Sequence, residues 1–396
     1  MKRIVMTLAA VLTISCMADA SPHPVVSRFH VDIYGYIKLD ASYDTQRNTA
    51  GDLQFFVHPE TEGGKQSEFN MTAKETRLGL NIRVPDLEGV DVVGKVETDF
   101  YGSPSANSPN IRLRLAYVDI AKGNTSLRAG QDWDTTVLQL PRVVNFAFLA
   151  DTGSLGLRRP QARLTHAYDL GGDVRLVGRI AAARTIGQDV DGDGQDDGAA
   201  SSFPTAQGSL LLEIPVAYAD APIRLGVSGH WGEEKVRAYE TEDGALRDEK
   251  NYASQSVIGS WSIPLLARGD EARSPLLTFQ GTVWTGENLD AYFGGIRQGI
   301  NAAQQKGIRA EGGWAQLMMH PTRKLNVNVG YALDDPKDED LNAGNRTKNR
   351  SVFASVFYPL VPGAMVMFEY MNMQTSYIDL PSGNNDRFQL ALAYNF

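Results

Sequence analysis

The final stretch of the chain constrains its fold most. Asp386 to Phe396 places Phe388, Leu390, Leu392, Tyr394 and Phe396 on every second position, with Arg387, Gln389, Ala391, Ala393 and Asn395 between them. A two-residue period is that of a β-strand, whose side chains alternate between its faces. One face is apolar throughout and ends on an aromatic residue with no polar tail. A strand that closes a membrane barrel and turns that face to lipid needs this pattern, which a soluble sandwich does not.

The other end carries Lys2 and Arg3, an apolar run from Ile4 to Met17, and Ala18-Asp19-Ala20 in the small-x-small pattern of a cleavage site. Residues 1–20 are therefore expected to be an export signal, and 21–396 the barrel itself. Cys16 is the single cysteine and lies within the signal, so the remainder has no thiol chemistry. A formal net charge of −9 argues against nucleic acid as a partner. No later segment reaches the roughly 18 consecutive apolar residues of a membrane helix. A chain that spans the membrane without such helices must close into a barrel in which every backbone group is paired.

Alternation recurs along the chain. It predicts strands at 31–41, 69–84, 90–101, 111–120, 126–133, 155–169, 174–184 and 207–216, and again at 223–231, 252–264, 276–284, 309–319, 324–333, 350–358, 364–374 and 387–396. The connections at 44–67, 102–110, 134–154, 185–206, 232–251, 285–308, 334–349 and 375–386 are mostly long. Those at 122–124, 171–172, 320–323 and 359–363 are tight, with 265–275 the one long turn among them. Alternating long and short connections are the mark of an up-and-down barrel with elaborate outer loops. The expected fold is all-β, a 16-stranded antiparallel transmembrane barrel around a water-filled lumen.

Inward-facing charge then becomes the functional signal. Arg112 and Arg114 share one strand face. Arg159 and Arg163 share another, with Arg158 near that strand's start, and Arg175 and Arg179 share a third. An arginine turned to lipid near the midplane costs about 2–4 kcal/mol, so these faces are luminal. A hairpin through 102–110 would bring Glu97 and Asp99 against Arg112 and Arg114. Such a set either orders permeant anions, arginine being a permanent donor to carboxylates, or only solvates and locks the wall.

Residues 138–149 are unusually apolar for an exposed loop and need somewhere to bury. They are expected to enter and narrow the barrel, with Arg142 and Asp151 as the loop's polar contributors, or else to contact a neighbouring subunit. Asp189, Asp191 and Asp193, followed by Gly194, match the first half of a calcium loop, but position twelve is Ala200 rather than Glu. A structural calcium in 189–197 and a solvated acidic tip both fit that pattern. The six histidines form no metal or protease spacing, and no Gly-x-Ser-x-Gly is present, so catalysis has no support.

Tyr34-Gly-Tyr-Ile-Lys-Leu-Asp40, Arg128-Ala-Gly-Gln-Asp-Trp133, Arg159-Pro-Gln-Ala-Arg163, Thr285-Gly-Glu-Asn-Leu289 and the terminal Phe396 together resemble the DcaP-like outer-membrane porins. The resemblance implies a homotrimer of such barrels in the outer membrane of a Gram-negative bacterium, embedded in its lipid. It further implies passage of small anionic solutes such as dicarboxylates, and a Phe396 read by the barrel-assembly machinery. The expected function is passive diffusion with no required cofactor. The alternatives are a facilitator for sugars or aromatic acids, or a barrel enzyme or adhesin acting through its outer loops.

Overall fold

The computed structural model describes residues 29–61, 66–84, 89–103, 108–241, 244–269 and 272–396; the expected signal segment lies outside them. The wall consists of β1 (His30–Asp44), β2 (Glu68–Thr72 continued by Arg77–Arg83), β3 (Asp91–Asp99), β4 (Arg112–Lys122), β5 (Thr125–Trp133), β6 (Arg158–Asp169), β7 (Arg175–Ala183) and β8 (Thr205–Val216). It continues through β9 (Ala219–Val236), β10 (Lys250–Ala267), β11 (Pro275–Glu287), β12 (Arg309–Met319), β13 (Asn326–Pro336), β14 (Arg346–Val361), β15 (Ala364–Tyr377) and β16 (Gly383–Asn395). Each strand pairs antiparallel with the next, and β16 pairs back to β1 from Asp44↔Arg387 to Tyr36↔Asn395. The expected 16-stranded antiparallel barrel is what forms.

One strand departs from the simple reading of 69–84. Both halves of β2 pair with β1, but Ala73–Thr76 bulges between them, with the Thr76 N–H donating to the Ala73 carbonyl at 3.0 Å. The bulge pushes Lys74 and Glu75 into the interior.

Closure fixes the two faces. Along β16 the buried residues are Arg387, Gln389, Ala391 and Ala393, whereas Phe388, Leu390, Leu392 and Tyr394 face outward; Ala391 is 1% exposed and its neighbour Leu392 is 52%. On β1, Lys38, Asp40, Ser42 and Asp44 point in, and Ile33, Ile37, Leu39 and Tyr43 point out. Phe396 completes the seam through its N–H to the Gly35 carbonyl at 3.1 Å and the return bond from the Gly35 N–H at 3.2 Å. No side chain could replace Gly35's hydrogen, because a Cβ there would lie 2.1 Å from the Arg77 carbonyl oxygen.

The lumen is not water-filled across its whole section. Three outer loops fold inward: L1 (45–61 of its described residues), L3 (134–157) and L6 (288–308). Val57 of L1 and Val143 and Leu149 of L3 pack with Trp314, Ala332, Phe353, Met371 and Met373 of the wall. Leu155 of L3 and Leu289 and Tyr292 of L6 pack with Ile258, Trp284 and Ala310. Apolar side chains on the inner wall are covered by protein, so that part of the barrel carries a packed core.

Arg387 locks the seam from inside. Its guanidinium meets Asp44 Oδ2 at 3.1 Å and donates to Ser42 Oγ at 2.9 Å and to the carbonyls of Gly51 and Asp52 at 3.0 and 2.9 Å. Arg387→Ala would leave Asp44 buried without its cation, a loss of about 3–5 kcal/mol. The expected result is a barrel that unfolds at lower urea and loses its folded electrophoretic form at lower temperature. Unchanged unfolding would contradict this role.

Candidate functional site

L3 is pinned at its neck before it travels. The Asp134 N–H donates to the Leu157 carbonyl at 2.8 Å, and the Leu157 N–H returns to Asp134 Oδ2 at 2.7 Å. From there the loop follows the inner wall strand by strand. The Thr135 N–H reaches Gln207 Oε1 on β8 (2.8 Å), Ser228 Oγ on β9 donates to the Thr136 carbonyl (2.8 Å), and Gln139 Nε2 donates to the Trp261 carbonyl on β10 (2.9 Å). The Arg142 N–H meets Gln316 Oε1 on β12 (3.0 Å), and Ser355 Oγ on β14 donates to the Arg142 carbonyl (2.8 Å). Glu369 on β15 then accepts from the Val144 and Asn145 N–H groups at 2.6 and 3.1 Å, and Lys38 on β1 donates to the Val144 carbonyl at 3.3 Å. L3 thus covers the wall from β8 round to β1, and the stretch it covers least is the inner face of β2 to β7, where Arg112 and Arg179 stay partly exposed although Arg114 and Arg159 are buried.

That stretch carries the arginines. Arg112 makes a two-pronged pair with Asp99, Nε to Oδ1 at 2.9 Å and Nη2 to Oδ2 at 2.7 Å. Arg114 donates to Glu97 Oε1 at 2.8 Å and to Asp99 Oδ2 at 3.0 Å. The cross-strand pairing expected of the β3–β4 hairpin is present. Arg77 of β2, not among the expected site residues, joins Glu97 at 3.6 Å. Arg158 lies over the Trp133 ring at 5.0 Å, within electrostatic reach of Arg112 and Arg114, and its buried Nη1 has no hydrogen-bond partner. Four guanidiniums face two carboxylates, so a positive surplus remains. Phe146, where L3 arrives opposite this group, sits 5.0 Å from the Arg114 guanidinium and stacks on Tyr101 at 5.3 Å.

A second tier continues toward the other mouth. Asp132 Oδ2 is shared by Arg128 and Arg163, each at 2.7 Å. Arg179, opposite Thr165 and Ser209 in register, has no hydrogen-bond or ion-pair partner among the described residues. Arg175 is exposed near the end of β7, opposite Asp169 and Glu213.

The remaining expected residues divide. Arg142 is exposed toward the lumen with its guanidinium 4.3 Å from the Phe357 ring. Arg159 does not line the opening: it is buried on Asp134 at 2.6 Å, donates to the Ala291 carbonyl at 3.0 Å and stacks 3.9 Å from Tyr292. L6 covers the wall at that height, which turns a luminal position into a structural one. Asp151 is likewise fully buried, paired with Arg297 of L6 at 2.6 Å, and burial pushes its carboxyl up to about 6 although Arg297 opposes the shift. L6 itself was legible by the test applied to L3, since Leu289, Tyr292, Phe293 and Ile296 are too apolar for an exposed loop.

The carboxylates of Asp189, Asp191 and Asp193 in L4 (184–204) converge within 4.8 Å. Protein donors already serve them: the Gly194 N–H reaches Asp189 Oδ2 at 3.1 Å, the Arg237 N–H reaches Asp191 Oδ2 at 3.1 Å, and the Arg237 guanidinium pairs with Asp193.

Residues 12–202 match the DcaP outer membrane protein family. Among solved structures, the chain is similar to the outer membrane channel DcaP of Acinetobacter baumannii, with a TM-score of 0.72 and 18% identity over 93% of this chain and 97% of that one. Over residues 12–202 the chain resembles the DcaP family, and the barrel as a whole has the fold of an outer-membrane porin. The fold also resembles the anion-selective porin from Comamonas acidovorans (TM-score 0.59, 13% identity, 93% of this chain and 100% of that one). A third likeness is to the trimer form of OmpT from Vibrio cholerae (TM-score 0.53, 11% identity, 93% and 99%). Among curated proteins, none matches the sequence. The setting of this DcaP-like barrel is the outer membrane of a Gram-negative bacterium.

In the DcaP-like barrel, Glu369 alone holds two consecutive amides of L3, and hydrogen bonds to a charged group contribute about 1.5–3 kcal/mol each. Glu369→Ala should free the far side of the loop, so that single-channel records in planar bilayers show larger and noisier conductance. Wild-type current levels with wild-type noise would contradict this anchoring.

Proposed function

We propose that this porin is a passive diffusion channel that prefers small anions, dicarboxylates among them, and works without a cofactor. The observation that supports the reading is the surplus of guanidinium on the part of the wall that L3 covers least. Arg77, Arg112, Arg114 and Arg158 exceed Glu97 and Asp99 in charge, and Arg163 and Arg179 extend the strip downward. A wall positive at the narrowing raises the local concentration of anions whatever the net charge of the chain, because low-dielectric surroundings focus the field of nearby charges. Two tiers of arginine separated along the strands suit a solute with a carboxylate at each end. The printed description of the Comamonas acidovorans porin as anion-selective supports the same preference.

The outward face, with Leu390 and Leu392 among its exposed residues, suits outer-membrane lipid. We further infer a homotrimer, in keeping with the trimer form described for OmpT. Phe396, whose main chain completes the seam, is the residue we assign to recognition by the assembly machinery.

Reversal potentials across planar bilayers in a salt gradient test this reading. The wild-type channel should be anion-selective, and Arg112→Ala combined with Arg179→Ala should lower the anion-to-cation permeability ratio severalfold, since the first also uncovers Asp99. In liposome swelling, small dicarboxylates should enter faster than neutral sugars of similar size. Cation selectivity in the wild type, or a ratio indifferent to both substitutions, would overturn it.

A further inference from the structure

Away from the arginine wall, L4, L6 and the end of β9 enclose a small group of oxygen atoms that the channel reading does not use. Glu234 and Asn288 are both fully buried, and Asn288 Nδ2 donates to Glu234 Oε1 at 3.0 Å. The Gln188 N–H approaches Glu234 Oε2 at 3.4 Å, a weak contact. A Cβ added at Gly299 would lie 2.0 Å from Asp290 Oδ1 and 2.3 Å from Asn288 Oδ1, so both oxygens flank the same small space, and only glycine leaves that space open.

Neither of these two oxygens has a hydrogen-bond partner, although both are shielded from solvent. Among the described residues, no lysine or arginine forms an ion pair with Glu234 or Asp290. The Arg159 guanidinium, whose field reaches Asp290, is committed to Asp134. A buried carboxyl oxygen and a buried amide oxygen without donors, next to the buried Glu234 carboxyl, are costly unless something positive sits among them. Oxygen atoms alone, carboxylate and carbonyl mixed, are the ligand set of a hard divalent cation.

We propose that a calcium-type divalent cation binds among Glu234, Asn288 and Asp290. The site differs from Asp189, Asp191 and Asp193 of L4, which lie at the surface and already take donors from Arg237 and the backbone. Its position gives it a purpose. Asp290 precedes Ala291 and Tyr292, which hold Arg159 at the neck of L3, so a cation there ties L6 to L4 and β9 and steadies the neck. The proposal is independent of which solute the channel passes.

The test uses the full-length barrel, refolded without lipopolysaccharide and stripped with chelator, then titrated calorimetrically with calcium chloride alone. The expected result is one calcium per chain and a higher thermal unfolding temperature. The triple variant Asp189→Asn, Asp191→Asn and Asp193→Asn should keep both, and Glu234→Gln with Asp290→Asn should lose them. Asn288→Asp adds a third carboxylate and should tighten calcium binding by about tenfold, since ligand charge tunes such sites. That gain remains readable even if the double variant fails to assemble. No calcium uptake by the wild type overturns the proposal, as does uptake that the triple variant abolishes. Absence of any gain in Asn288→Asp also overturns it, and a proton shared between Glu234 and Asp290 would then account for the pocket.

Discussion

Everything in this molecule depends on pairing the main chain within hydrocarbon. An unpaired N–H or carbonyl there has no water to turn to, so the sheet must return to its first strand. The β16–β1 seam meets that demand, and the main-chain bonds between Phe396 and Gly35 carry it to the end of the chain. Closure then decides side-chain chemistry. With every second residue sent inward, polar and charged groups on that face leave bulk water as loops descend, and each must find a partner. The buried pairs of Arg387 with Asp44, Lys38 with Glu75 and Arg114 with Glu97 follow from this. Removing one member of such a pair is far costlier than never having had it.

The parts governed by a local period were legible in the chain itself. Phe388 to Phe396 turn outward and Arg387 and Gln389 inward, as alternation requires, and the β3–β4 hairpin brings Asp99 to Arg112 because the strands on either side of the loop are in register. What alternation does not fix is where a loop goes. Glu369 stands on the inner face by parity, but its partners Val144 and Asn145 lie more than 200 residues away in sequence. Arg159 has the parity of Arg163 and yet a different role, because L6 happens to cover its level and leaves that of Arg163 open. The inner face was predictable; the cover over it was not, since cover is set by packing between segments distant in the chain.

That cover determines where a solute can pass. L3 lies against β8 to β1 because the inner wall there offers apolar surface, Trp314, Phe353, Met371 and Met373 for Val143 and Leu149, and Phe357, Met367, Ala391 and Ala393 for Val144. Burying such side chains contributes about 25 cal/mol for each Å² removed from water, and the loop gathers that gain over its whole path. The β2–β7 wall is richer in charge: its inward residues include Arg77, Arg112, Arg114, Arg128, Arg163 and Arg179, with Glu97, Asp99 and Asp132 among them. An apolar loop placed over them would strand those charges in a dry interior. The same physics therefore draws the loop to one side and keeps water on the other. Charge selectivity need not be added to this barrel as a separate device. The partly exposed arginines of this wall, Arg77, Arg112, Arg163 and Arg179, are the ones left for a solute, and the buried Arg114 beneath Phe146 adds its charge from behind the surface.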